Sequence, residues 1–319
     1  MTRSKLMVGM AIVGATLFQA DAASAQPDQP TGPPAVTFKS SVDLVRLTAV
    51  VRDRKGRFVR DMTVRDFEVL EGGISRRIAE FRHDDSALSI AFLFDVSGSM
   101  EARLAHARET AEQILNALTQ EGDEAAVYTF DTQLDEIMPF TSGLLQLPRA
   151  MQTMTPFGAT SLHDAVARTA EKAATRTGLR RAVVVLTDGL DNASRLTAPE
   201  VSGVASAIDV PVYVIGIVPA IDNPSADIAT TTVERSALTG SLSDLARWTG
   251  GRAFVASTVA ERTQAARQIV DELRQQYLIA FESSGSPGWH PLVVRARDKD
   301  LTVRARSGYF AGQSRPISD

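Results

Sequence analysis

Apolar and polar positions change their period twice along this chain. From Val36 to Phe81, short alternating runs (VDLVRLTAVV, FEVL and RRIAEF) are separated by turn-forming pieces at Asp53–Gly56 and Glu71–Gly73, the pattern of a half-solvated antiparallel sheet. After Asp84 and Asp85, apolar runs alternate with amphipathic segments, the signature of a parallel α/β sheet. Strands are predicted at Ile90–Phe94, Ala125–Phe130, Arg181–Thr187, Val210–Val218 and Arg252–Ala256. A helix is predicted from Leu104, since Leu104, Ala107, Ala111, Ile114, Leu115 and Leu118 recur on one face. Further helices are predicted over Ser161–Thr175, Ala198–Ile208, Ser241–Thr249 and Val259–Gln276. Pro219–Gly240 is polar and reads as a long surface loop. Beyond Gln276 the alternation of two returns, at Tyr277–Phe281, Leu292–Ala296 and Leu301–Ala305.

A three-stranded piece at each end of a domain is marginal alone, and pairing the two buries more surface. The expected architecture is therefore α/β: a doubly wound, mostly parallel sheet flanked by helices over 86–276. It is inserted in a smaller antiparallel β domain formed by 36–85 and 277–312, with a tail at 313–319.

The amino-terminal residues belong to neither pattern. Arg3 and Lys5 precede an uncharged segment from Leu6 to Ala20, and Ala23-Ser24-Ala25 supplies small residues before Gln26, so a signal peptide cleaved after Ala25 is expected. The apolar segment is shorter than the roughly 20 residues that span a bilayer, so no membrane span is expected in the mature chain, which would be periplasmic or secreted. Residues 26–35 (QPDQPTGPPA) read as an extended linker. The chain has no cysteine, which removes disulfides, thiolate metal sites and thiol nucleophiles together. A net charge of -4 without a basic stripe argues against nucleic acid.

The candidate chemistry sits where the first long apolar run stops. In SIAFLFDVSGSM, Ser89 to Met100, a strand ends in Asp-x-Ser-x-Ser, which places the oxygens of Asp95, Ser97 and Ser99 on one tight turn. Such a set suits a hard cation: Mg²⁺ takes octahedral oxygen ligands at about 2.0 to 2.1 Å and keeps several waters. Two further pieces join it. Gly158-Ala159-Thr160-Ser161 opens a helix after Pro156, and Thr187-Asp188-Gly189 ends a strand, putting Thr160 and Asp188 at the carboxyl edge where open α/β sheets bind ligands.

DVSGSM, GATS and TDG, in this order, resemble a von Willebrand factor type A domain with its metal-ion-dependent adhesion site, over roughly Ser86 to Gln276. The flanks DFEVLEGG and VRARSGYF are similar to bacterial exported proteins that carry such a domain. The resemblance implies a metal held directly by Ser97 and Ser99, directly or through water by Thr160, and mostly through water by Asp95 and Asp188. Mg²⁺ is the expected cation, with Mn²⁺ or Ca²⁺ as alternatives. It also implies binding: a protein partner presents an acidic side chain to the cation, and the rim sets specificity. Candidate rim residues are Asp131, Ser161, His163 and Asp191, although Asp123, Asp131, Asp164 and Asp191 also fit turn and cap positions.

Enzymatic readings lack parts. The four histidines show no HExxH spacing, DVSGS has Asp where a nucleophile elbow needs Gly, and position 97 is Ser where an aspartyl phosphotransfer site wants a second acid. A non-enzymatic adhesion or assembly module is expected. The alternative is a structural subunit of an envelope assembly whose metal site is vestigial.

Overall fold

The computed structural model describes residues 44–189, 191–207, 209–218 and 240–311. The expected signal peptide, linker and tail lie outside these residues, as does the expected loop at 219–240 apart from Gly240.

The first described strands are β1 (Leu44–Arg52), β2 (Phe67–Glu71), β3 (Ile74–Arg76) and β4 (Ile78–His83). The predicted run RRIAEF is thus divided, with Arg77 between two strands. The tight β2–β3 turn uses Gly72 and Gly73, both at positive φ, where a side chain would be strained.

The pattern changes at β5 (Leu88–Asp95), every residue of which is buried. A strand covered on both faces has no polar side, which is why its sequence is an unbroken apolar run. The chain continues through α1 (Leu104–Leu115), β6 (Glu124–Phe130), β7 (Leu134–Ser142), α2 (Arg149–Thr153), α3 (Leu162–Ala174) and β8 (Arg180–Thr187). It then runs through α4 (Ala198–Ala207), β9 (Val212–Ile217), α5 (Ser241–Trp248), β10 (Ala253–Ala256) and α6 (Val259–Arg274). The strands form one six-stranded sheet in the order β10-β9-β8-β5-β6-β7, parallel except for β7. Alternate residues of β5 feed two separate cores. Ile90, Phe92 and Phe94 pack with apolar residues of α1 and α6, while Ala91 and Leu93 pack with those of α3, α4 and α5.

Strand β7 is absent from the sequence expectation. Its run LDEIMPFTS has no clean alternation of apolar and polar residues and contains Pro139, which a sheet tolerates at its edge, where β7 lies. The sixth helix is also shorter than expected: α6 stops at Arg274, and Gln276 already belongs to a strand, where it pairs with Val50.

That strand is β11 (Gln276–Glu282), followed by β12 (Gly288–Ala296), β13 (Thr302–Ala305) and β14 (Gly308–Ala311), the last of them unanticipated. Both ends of the chain interleave in two antiparallel four-stranded sheets, ordered β13-β1-β11-β4 and β14-β12-β2-β3. Leu47, Phe67, Tyr277, Phe281, Leu292 and Tyr309, drawn from both sheets and both chain ends, share one core. The smaller β domain is therefore discontinuous, and the α/β domain is inserted in it.

Buried charges tie the two parts together. The fully buried carboxylate of Glu272 on α6 meets Arg52 of β1 at 3.0 Å and also pairs with Arg304 of β13. Arg180 Nη1 donates to the carbonyls of Asp84 (2.8 Å) and Leu273 (3.0 Å), so one buried guanidinium grips both chain crossings between the parts. Among the described residues, no helix is long and apolar enough to cross a membrane.

Candidate metal centre

Because β5 and β8 are parallel neighbours with Phe94 opposite Leu186, Asp95 and Thr187 finish side by side at the carboxyl edge of the sheet. Thr187 Oγ1 donates to Asp95 Oδ2 at 2.7 Å and accepts from Gly189 N at 3.0 Å, so the two strand ends are stitched through one hydroxyl. Ser97 N donates to Asp95 Oδ1 at 3.0 Å, which closes the turn predicted from Asp-x-Ser-x-Ser. The Ser97 and Ser99 hydroxyls lie 3.1 Å apart, Ser97 buried and Ser99 exposed.

Burial pushes the Asp95 carboxyl up to about 6; the hydrogen bonds from Ser97 and Thr187 oppose this, and the nearby charge of Asp188 adds to it. Asp188 is fully buried. Its Oδ2 accepts from Arg103 Nη1 at 2.6 Å, whereas Oδ1 is buried without a hydrogen-bond partner. An orphaned, buried carboxylate oxygen is costly unless something positive or donating fills the gap.

Thr160 is buried on the loop before α3. Its backbone is fixed from the far side: Thr160 N donates to Asn192 Oδ1 at 2.9 Å, and Thr160 O accepts from Asn192 N and Ala193 N, both at 3.1 Å. The loop is also bonded to the Asp95–Ser99 turn, through Phe157 N to Val96 O (2.8 Å) and Gly98 N to Gly158 O (3.2 Å). These bonds bring the Thr160 loop, the serine turn and the end of β8 into one crevice.

The rim candidates divide. Asp131 O accepts from Ser161 N at 2.7 Å, and its carboxylate accepts from Gln133 N at 2.8 Å, so Asp131 holds its own turn and the Thr160 loop together. Asp191 is a capping residue: it takes His163 N at 2.9 Å and Ser194 Oγ at 2.7 Å, and contacts His163 Nδ1 at 3.1 Å. Ser161 occupies the N-cap position of α3 with no side-chain cap bond. Away from the crevice, Asp164 takes Leu196 N at 2.9 Å and Asp123 takes Leu88 N at 2.9 Å.

The chain carries a von Willebrand factor type A domain. The model of that family matches residues 89–246, which span β5 to α5 and contain all five candidate ligands. Solved structures similar to the chain include an aerotolerance-related membrane protein from Bacteroides fragilis (18% identity, TM-score 0.47, 59% of this chain and 98% of that one). BatB from Bacteroides thetaiotaomicron matches with 18% identity and TM-score 0.48, over 59% of this chain and 98% of that one. A von Willebrand factor type A protein from Catenulispora acidiphila matches at 14% identity and TM-score 0.46, over 86% of this chain and 76% of that one. No curated protein matches the chain.

Among the described residues, no three carboxylate, imidazole or thiolate side chains converge as a metal cluster. The candidate set in the type A domain is of another kind, two buried carboxylates with three hydroxyls, and suits a hard cation that keeps part of its water shell. The orphaned Asp188 Oδ1 and the desolvated Asp95 both fit such an ion. Sequence reasoning missed Arg103. It stands at the N-cap position of α1, where a cation is disfavoured by the helix dipole, and a basic residue there signals a carboxylate partner.

Proposed function

We propose that the chain is an exported, non-enzymatic binding module that captures an acidic side chain of a protein partner through a Mg²⁺ ion held by Asp95, Ser97, Ser99, Thr160 and Asp188. The observation that carries this reading is Asp188 Oδ1, buried and unpartnered at the sheet edge beside Asp95. When bound, the cation supplies an electrophilic centre for an anionic oxygen. Ser97, Ser99 and Thr160 contribute neutral oxygens, so the charge of the ion is left incompletely neutralised, and an incoming carboxylate gains more than it would at a carboxylate-saturated site.

The hydroxyl arrangement supports binding over hydrolysis. Ser97 and Ser99 face each other, and the imidazole of the rim candidate His163 is held by Asp191. Among the described residues, neither serine hydroxyl is bonded to an imidazole. The family match supports a protein-interaction or adhesion role.

Isothermal titration with Mg²⁺ tests the site directly. The native chain is expected to bind one ion, and Ser97→Ala and Asp95→Ala are expected to lose it while keeping the circular dichroism of the native fold. Equal Mg²⁺ binding by Ser97→Ala would sink the assignment.

A further inference from the structure

Phe157 is 81% exposed, the most of the large hydrophobic residues exposed among the described residues. A single exposed apolar side chain is ordinary. Its position is not ordinary: Phe157 N is bonded to Val96 O, between Asp95 and Ser97, and the next residue accepts from Gly98 N. Two backbone bonds therefore hold the main chain of Phe157 beside the Asp95–Ser99 turn. Gly158 follows at φ +91°, a conformation side chains rarely adopt, and a Cβ there would lie 3.3 Å from Asp131 Oδ2. The loop is thus braced from both sides, and its aromatic side chain is presented to solvent on a fixed backbone.

Electrostatics and this ring together describe an occupant. On the function proposed above the crevice offers a divalent cation, which selects a carboxylate, while Arg103 beside it is already engaged by Asp188. Beside it stands an aromatic surface that gains by being covered. We propose that Phe157 is the apolar contact of the partner site, and that the partner presents an extended acidic segment in which the Asp or Glu is flanked by a large apolar residue. This rests on the cation-site reading. Contacts of this type, aromatic and next to a desolvated polar anchor, carry a disproportionate share of binding energy.

The test uses fluorescence polarisation with two labelled peptides of equal length, one with a central aspartate flanked by leucines and one with the aspartate flanked by glycines. The native chain in Mg²⁺ is expected to prefer the leucine-flanked peptide by about tenfold. Phe157→Ser, a surface change whose fold is checked by thermal melting, is expected to erase that preference and leave the glycine-flanked peptide unaffected. A preference that persists in Phe157→Ser, or no preference in the native chain, overturns the role of Phe157. Binding of both peptides that survives EDTA and Ser97→Ala overturns the cation reading instead, and failure of both peptides to bind overturns both.

Discussion

Arg103 Nη1 donates to Asp188 Oδ2 at 2.6 Å, so a guanidinium already neutralises one of the two carboxylates proposed to face the cation. Charge-assisted hydrogen bonds of this length are strong, and here the acceptor is fully buried. Arg103 stabilises the buried Asp188 carboxylate and repels an incoming cation. Arg103→Gln is therefore expected to tighten Mg²⁺ binding by about tenfold in calorimetry while lowering the melting temperature of the metal-free protein. Unaltered affinity would show that the guanidinium does not compete.

The raised pKa of Asp95 gives a pH dependence with a definite sign. In the metal-free fold, the carboxyl titrates near 6, above its ordinary value, because burial disfavours the anion. The folded state thus binds more protons than the unfolded state between about pH 4 and 6. This group's contribution is most favourable below that window and is lost as pH rises through 6, a difference on the order of 3 kcal/mol. Urea denaturation of the metal-free chain across this range is expected to show the trend, and Asp95→Asn to flatten it. Mg²⁺ affinity should run the other way, falling below about pH 6 as protons compete for the same oxygen.

Glu272 has a different role. Its buried carboxylate meets Arg52 and Arg304, and Arg252 approaches at 3.7 Å, so removing it leaves several cations facing each other. Glu272→Ala is expected to cost about 3 kcal/mol in equilibrium unfolding, a value typical of breaking a buried ion pair from one side. A loss no larger than that of an exposed ion pair would show that the arginines reach solvent easily.

Gly158→Ala probes the rim. The substitution forces a side chain into left-handed backbone and towards Asp131 Oδ2. It is expected to cost about 1–2 kcal/mol in stability and to weaken Mg²⁺ binding as the loop carrying Thr160 shifts. Calorimetry and thermal melting on the same sample separate the two effects.

The parts of this structure legible in the sequence are those where a single physical rule dominates. Strand β5 announces itself because both of its faces are buried, and Asp95, Ser97 and Ser99 stand out because a carboxylate and hydroxyls end an apolar run. Helix α3 shows its face through buried Leu162, Ala165, Val166, Thr169, Ala170 and Ala173. Strand β7 was hidden because an edge strand needs no clean alternation and can hold Pro139, and β14 because four residues are too few to show a period. Arg103 was hidden among ordinary polar residues at a helix start: its meaning depends on Asp188, 85 positions away. Asp191 fits a rim, turn or cap position in the sequence, and its bonds from His163 N and Ser194 Oγ show it capping the helix that follows Thr160.

The interleaving of the two chain ends also dictates an order of events. In the sheet β13-β1-β11-β4, the early strands β1 and β4 do not touch; β11 lies between them, with Leu44 opposite Glu282 and His83 opposite Tyr277. A chain still emerging, or one cut before Gln276, holds two strands with bare hydrogen-bonding edges and no neighbour of their own, the kind of surface that recruits strands from other molecules. The inserted domain, whose sheet is closed by residues 88–256, has its own strands complete before that point. The carboxyl-terminal strands are thus a late seal on the protein, and synthesis must reach them before the first strands it made are safe from aggregation.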